Sequence, residues 1–275
     1  QQHPEWNGER TQMLYSFPAN EKLWDRYAEI RADSLRATGT IDEATAFYTE
    51  ADYEKALLAF RRDNCIEAEP AFRAVRRKYP YSRFAALAEL RVADCKMKQD
   101  EWAEAITAYR QFVRFRPSHS QISYARFRIS QAHFEQIPSE WLLSPPSHQR
   151  DQQSTQEALR QLRRFVLDFP EDQRVAEAQE MIKKALKVLA AHELYVARFY
   201  LRRDAYPAVV NRLRTMLTSY DGSGLEAEAL LLLGETYLEM RDREQARRAF
   251  QELVDRYPEA DEADDARSQL GGLGS

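Results

Sequence analysis

The sequence predicts an all-α protein, a superhelical solenoid of about five helix-turn-helix repeats. Three observations carry that expectation. Only 8 of 275 residues are glycine, while Ala, Leu, Arg and Glu abound, a composition suited to helices rather than sheets. Residues 230–258, LLLLGETYLEMRDREQARRAFQELVDRYP, read as two amphipathic helices around a tight turn at Arg241-Asp242. Copies of that pattern recur upstream, as they must, because a lone hairpin cannot bury its own apolar face.

Within 230–258 each marked residue has a steric job. Gly234 and Ala246 are small where two helices nearly touch, Tyr237 and Phe250 fill the wedge beside them, and Pro258 ends the second helix. Those residue types at those spacings form the tetratricopeptide pattern.

The chain then divides into four stretches. Residues 1–40 are an N-terminal extension with a leading helix. They open without helical periodicity, carry Pro4 and Pro18, and offer Asn20 as an N-cap for a helix of about 21–36. Residues 41–137 are the N-terminal repeats. A helix starts after Thr40 and runs to about Arg62, with Leu57, Leu58 and Phe60 on its packing surface; Ala68, Phe72 and Tyr79-Pro80 then match Ala246, Phe250 and Tyr257-Pro258. The next copy, 82–117, has Ala93 in the place of Gly234, followed by Trp102, Ala105, Tyr109 and Pro117.

Residues 138–153 (PSEWLLSPPSHQRDQQ) have three prolines and no period, which marks an inserted loop. Its Trp141-Leu142-Leu143 is expected to fold back onto the repeats. Residues 154–270 are the C-terminal repeats. The third copy resumes with Ala158, Leu162 and Phe169-Pro170, and a helix without a breaker follows from about Asp172 to Arg203. Repeat ends at Pro80, Pro117, Pro170, Asp221 and Pro258 are spaced 37, 53, 51 and 37 residues apart. The loop explains the 53 and the long helix the 51. Asp221-Gly222-Ser223-Gly224 replaces a proline as the stop, Glu259 to Leu270 reads as an acidic capping helix, and Gly271 onward as a frayed tail.

A net charge of −4 and a pI near 5.9 predict no general affinity for nucleic acid. From Asp221 onward there are 14 acids against 6 bases, so the body is basic and the C-terminal end acidic. That suits docking against partners, and equally a well-solvated surface. Cys65 and Cys95 lie on neighbouring helices, as a disulfide or as two small buried thiols. No run of about 18 apolar residues exists to span a membrane, and Gln1 opens no signal peptide.

No reaction centre emerges. His3, His119, His133, His148 and His192 lack metal-ligand spacing, no glycine-rich phosphate loop exists, and no serine or cysteine sits in a nucleophile motif. The chain is therefore expected to be no enzyme and to need no metal or cofactor. If it were one, the place to look would be near His119 or His192.

Residues 193–213 (ELYVARFYLRRDAYPAVVNRL) stand apart. Asp204 would cap the incoming helix, and Pro207 falls in its first turn, where no N–H is needed. Ala208 takes the place of Ala246, which puts Arg212 where other copies have Phe72, Tyr109, Leu162 or Phe250. A guanidinium there must snorkel or meet an acid of the flanking helices.

That stretch, with RKYPYSRFAALAEL (77–90) and FVRFRPSHSQISYARF (112–127), resembles the BamD family, repeat lipoproteins of the bacterial outer-membrane β-barrel assembly machine. The resemblance spans about 45–258 and includes the long fourth helix and the third-repeat insertion. The family's lipidated N-terminal cysteine has no counterpart here, since Cys65 and Cys95 lie far from the start. The resemblance implies a non-catalytic scaffold on the periplasmic face of the outer membrane, held by a lipid anchor. It also implies as partners a BamA-like POTRA domain, other assembly-machine lipoproteins and unfolded outer-membrane proteins. By the same resemblance Arg212, with Asn211, Tyr206 and Arg203, would face the POTRA domain. Tyr79, Arg114, His119, Tyr124 and Phe127 would form a pocket for the aromatic-ended signal of unfolded barrel proteins; cation plus rings suits a carboxylate and a ring. The alternative is another periplasmic repeat adaptor, of the cell-division type, against which the long 172–203 helix speaks.

Overall fold

A computed structural model describes residues 41–137 and 151–274 of the chain. All regular structure in them is helical: α1 (Ile41–Arg61), α2 (Cys65–Lys78), α3 (Arg83–Lys98), α4 (Trp102–Phe115), α5 (Ile122–Glu135), α6 (Gln153–Asp168), α7 (Val175–Leu201), α8 (Tyr206–Ser219), α9 (Glu226–Glu239), α10 (Arg243–Arg256) and α11 (Glu262–Leu273). The leader at 1–40 and the Trp141-Leu142-Leu143 triplet lie outside the described residues.

Contacts divide the chain into two compact units that meet at Gln99 and Asp100. In the first, α2 packs between α1 and α3. Phe72 is fully buried, with Tyr53 at 5.5 Å between ring centroids, and Tyr53 also meets Phe84 at 5.3 Å. Cys65 and Cys95 are free thiols buried in this core. Burial, with Cys65 as hydrogen-bonding neighbour, holds the Cys95 thiol well above the ordinary range, so it stays protonated. Tyr53, Ala56 and Ala59 form the buried face of α1; Leu57 and Phe60 pack at its edge, and Leu58, expected there too, is exposed. In the second unit each helix from α4 to α11 packs on the next in sequence, the arrangement of stacked hairpins.

Four interhelix turns, three of them within the hairpins α1–α2, α7–α8 and α9–α10, use one backbone device. Asp63, Asp100, Asp204 and Arg241 have φ of 62°, 59°, 55° and 60°, a left-handed conformation that Asp tolerates better than most residues. The next residue opens the second helix. Asn64 Oδ1 accepts from the Glu67 N–H at 3.2 Å, and Asp242 Oδ1 from that of Gln245 at 3.2 Å. Asp204 is therefore the turn residue and not the cap, a position that falls to Ala205, without a side-chain bond. Pro207 does lie in the first turn of α8.

The turn sets the register. Seven residues before it stand Ala56, Ala93, Ala197 and Gly234, and five after it Ala68, Ala105, Val209 and Ala246, all buried. The large residue nine after it is Phe72, Tyr109, Leu213 or Phe250, each fully buried. Val209 and Leu213, not Ala208 and Arg212, thus occupy the packing positions of α8. The expected alignment was one residue out, because Ala208 imitates the small residue that Val209 replaces.

At Gly234 the sequence reading holds: an added Cβ would lie 2.6 Å from ring atoms Cδ1 and Cζ of Phe250. Ahead of α9, Gly222 and Gly224 take φ of 86° and 80°. The buried Glu226 carboxylate accepts from the Ser223 N–H (2.7 Å), the Ser223 hydroxyl (2.9 Å) and the Gly224 N–H (3.0 Å). Ala227, in the same turn, is half-buried. Helix α11 runs through Gly271 to Leu273, past the point where a frayed tail was expected.

Candidate partner-binding surfaces

Arg212 lies on the flank of α8, its side chain 42% exposed, with Nη1 3.4 Å from Oε2 of the buried Glu193 on α7. It both snorkels and meets an acid. Asn211 is exposed. The Tyr206 hydroxyl donates to Asp204 Oδ1 at 3.2 Å. Arg203 is exposed, its guanidinium 3.6 Å from the centroid of the Phe199 ring and donating from Nη1 to the Phe199 carbonyl at 3.2 Å. This hairpin therefore presents an arginine stacked on a ring, a tyrosine and a second, tethered arginine.

The five residues of the expected pocket do not share one environment. Tyr79 belongs to the first unit, where its hydroxyl donates to Asp52 Oδ2 at 3.0 Å, and Lys78 Nζ reaches the same oxygen at 2.9 Å. The other four lie in the second. Phe127 is buried against Phe165 with ring centroids 5.4 Å apart, a packing residue. Tyr124 is half-buried and faces Arg174 at 5.4 Å and Arg128 at 6.0 Å. Arg174 grips Asp172 through Nε (2.7 Å) and Nη2 (2.6 Å) and also bonds Ser123 at 3.1 Å, which holds the Asp172 carboxyl far below its usual range. His119 packs edge-on to Phe112 at 5.2 Å, and its Nδ1 accepts from the Gln121 N–H at 3.1 Å, so it closes the turn between α4 and α5.

Arg114 alone of the five opens on a groove. The space, about 550 Å³, lies between α4 and α5, lined by Arg110, Val113, Arg114, Pro117, Ile122, Arg126 and Ile129. Arg110 is engaged with His133 Nε2 at 3.1 Å. Burial, then the nearby Arg110 and Arg160 cations, hold His133 down to about 4. Arg114 and Arg126 meet no carboxylate among the described residues. Sequence reading missed Arg110, Arg126 and the isoleucines, although Arg110/Arg114 at i,i+4 and Ile122/Arg126/Ile129 at i,i+4,i+7 are one-face spacings. Guanidiniums around an apolar floor fit an anionic group joined to an apolar one.

Among the described residues no three His, Cys, Asp or Glu side chains gather as metal ligands. No described helix is long and apolar enough to cross a membrane. Fold and helix pairing together define a tetratricopeptide-repeat protein. Comparison with known proteins narrows the class: residues 45–249 match the family YfiO, described as outer membrane lipoprotein, and the chain belongs to that family. Three relatives are named outer membrane protein assembly factor BamD. The one from Xylella fastidiosa is 25% identical over 209 residues, covering 75% of this chain and 72% of the relative. The Neisseria meningitidis serogroup A protein is 29% identical over 206 residues, 72% and 77% of the two chains. The Caulobacter vibrioides protein is 29% identical over 187 residues, 68% and 59%.

Proposed function

We propose that this chain is a non-catalytic scaffold of the outer-membrane protein assembly complex, working at the periplasmic face and tethered there by lipid. The family match over 45–249, which takes in the long α7 and the α7–α8 turn, is the observation that carries this reading. The POTRA domain of a BamA-like partner docks on Arg203, Tyr206, Asn211 and Arg212. Glu193 supports the assignment by holding Arg212 in place while leaving its side chain part-exposed. The aromatic-ended signal of an unfolded barrel protein enters the Arg114–Arg126 groove, where a terminal carboxylate meets the guanidiniums and the ring lies on Ile122 and Ile129.

Pull-down of purified chain with the POTRA domain tests the first contact. Arg212→Glu and Tyr206→Ala should each weaken capture about tenfold or more, the loss expected for a docking arginine or tyrosine at about 1.4 kcal/mol or above. Because Arg212→Glu sets two carboxylates side by side, its melting temperature is measured alongside. Full capture by both folded variants would move the docking face elsewhere.

A further inference from the structure

The solvent face of α7 carries a charge pattern that the scaffold reading does not use. From Lys183 to Arg202 this face exposes Lys183, Lys184, Lys187, Arg198 and Arg202, and the one acid in that span, Glu193, is buried. Lys183 pairs with Glu180 at 2.7 Å and Arg198 with Glu228. Lys187 and Arg202 meet no carboxylate among the described residues, while Lys184 lies near the exposed Glu180 one turn earlier. Tyr195 and Phe199, each 37% exposed, stand on the same face. At the helical rise the ridge from Lys183 to Arg202 is about 30 Å long.

The chemistry of an exposed row of bases with rings at one end names what it suits. Long, flexible lysines match a surface whose anions can move to meet them, and half-exposed rings suit the boundary between headgroup and acyl chain. The proposed tether at the outer membrane, on which this inference rests, would bring the chain beside a phospholipid surface.

We propose that the α7 ridge, Lys183 to Arg202 with Tyr195 and Phe199, is a docking face for an anionic phospholipid surface. It supplements any covalent lipid anchor and borders the proposed docking face at Phe199, on whose ring Arg203 stacks.

The test is flotation of the 275-residue chain, which is studied without lipidation. The vesicles are phosphatidylethanolamine alone or with roughly a quarter phosphatidylglycerol, enough to give the anionic surface potential that attracts polybasic segments. Wild type should float with the anionic vesicles only, and less as salt rises. Lys184→Glu/Lys187→Glu/Arg202→Glu should lower vesicle binding about tenfold or more, the matching glutamine variant less, and Tyr195→Ser/Phe199→Ser less again. Circular dichroism checks that each is folded, and the glutamine variant serves if the glutamates disturb α7. Equal binding to both vesicle types, or unchanged binding by folded charge variants, would overturn the proposal. So would a glutamate variant that keeps its vesicle binding but loses an acidic protein partner. Because Arg212 is intact throughout, failure here leaves the POTRA reading standing.

Discussion

In the α9–α10 hairpin the two helices close on Gly234, Ala246 and the ring of Phe250, with no room for a Cβ at the glycine. The α7–α8 hairpin has the same turn and the same register, yet it holds Ala197, Val209 and Leu213 at the equivalent positions, and beside them the ion pair of Glu193 and Arg212. One hairpin is closed by size complementarity alone. The other accepts a bulkier Val209 opposite a small Ala197 and gives its flank to charge. Bulk at the interlock and polarity at the flank are thus adjusted separately, while the turn keeps both hairpins in phase.

The largest expected effect breaks that contrast in the core. Phe250→Ala should cost about 3–5 kcal/mol and Leu213→Ala about 2–5, with the ring the dearer loss. Urea unfolding of both variants decides it, and a reversed order would mean that α7–α8 is the tighter hairpin. Swapping the small residue should do less: Ala246→Val, harmless if the two interlocks were alike, should overpack α9–α10 by about 1–3 kcal/mol. Ala103→Leu on the exposed side of α4 should stay within about 0.5 kcal/mol, as surface changes do. Equal losses at Ala246 and Ala103 would show that the register counted from the left-handed turn is wrong.

The smallest effect concerns the segment that leads into α9. Burial raises the Glu226 carboxyl, but its hydrogen bonds from Ser223, Gly224 and neighbouring backbone outweigh that and leave it below the ordinary carboxylate value of 4.5. A carboxyl depressed in the folded state stabilises above the unfolded value, and that contribution is lost as pH falls through the folded one. Melting temperature should therefore decline below about pH 4.5 more steeply in wild type than in Glu226→Gln. Parallel curves would mean that the Gly222–Gly224 turn stands without the carboxylate.

Much of this was legible in the residues. The turn at Arg241-Asp242, the small pair Gly234/Ala246 and the long fourth helix follow from spacing, because steric interlocks demand particular sizes at fixed intervals. The position of Arg212 did not, since Val209 departs from the small residue that marks the slot and Ala208 supplies a decoy one step earlier. Counting from Asp204 would have found it, but a left-handed φ at an aspartate is a backbone property that composition does not announce. Of the expected pocket, named from the resemblance, Arg114 is the residue that lines the α4–α5 groove. Phe127 was misjudged because a ring at helical spacing serves a core as readily as a ligand, and only packing tells them apart.

The pairing of every helix in the second unit with its immediate sequence neighbours has a consequence for how such a chain can change. Contacts that are close in sequence give low contact order, and stability accrues interface by interface without a single nucleus. Spacings of 53 and 51 residues can then sit beside spacings of 37, because lengthening one connection leaves the next interface untouched. The array can acquire a new recognition element, such as the cationic length of α7, without renegotiating its interior.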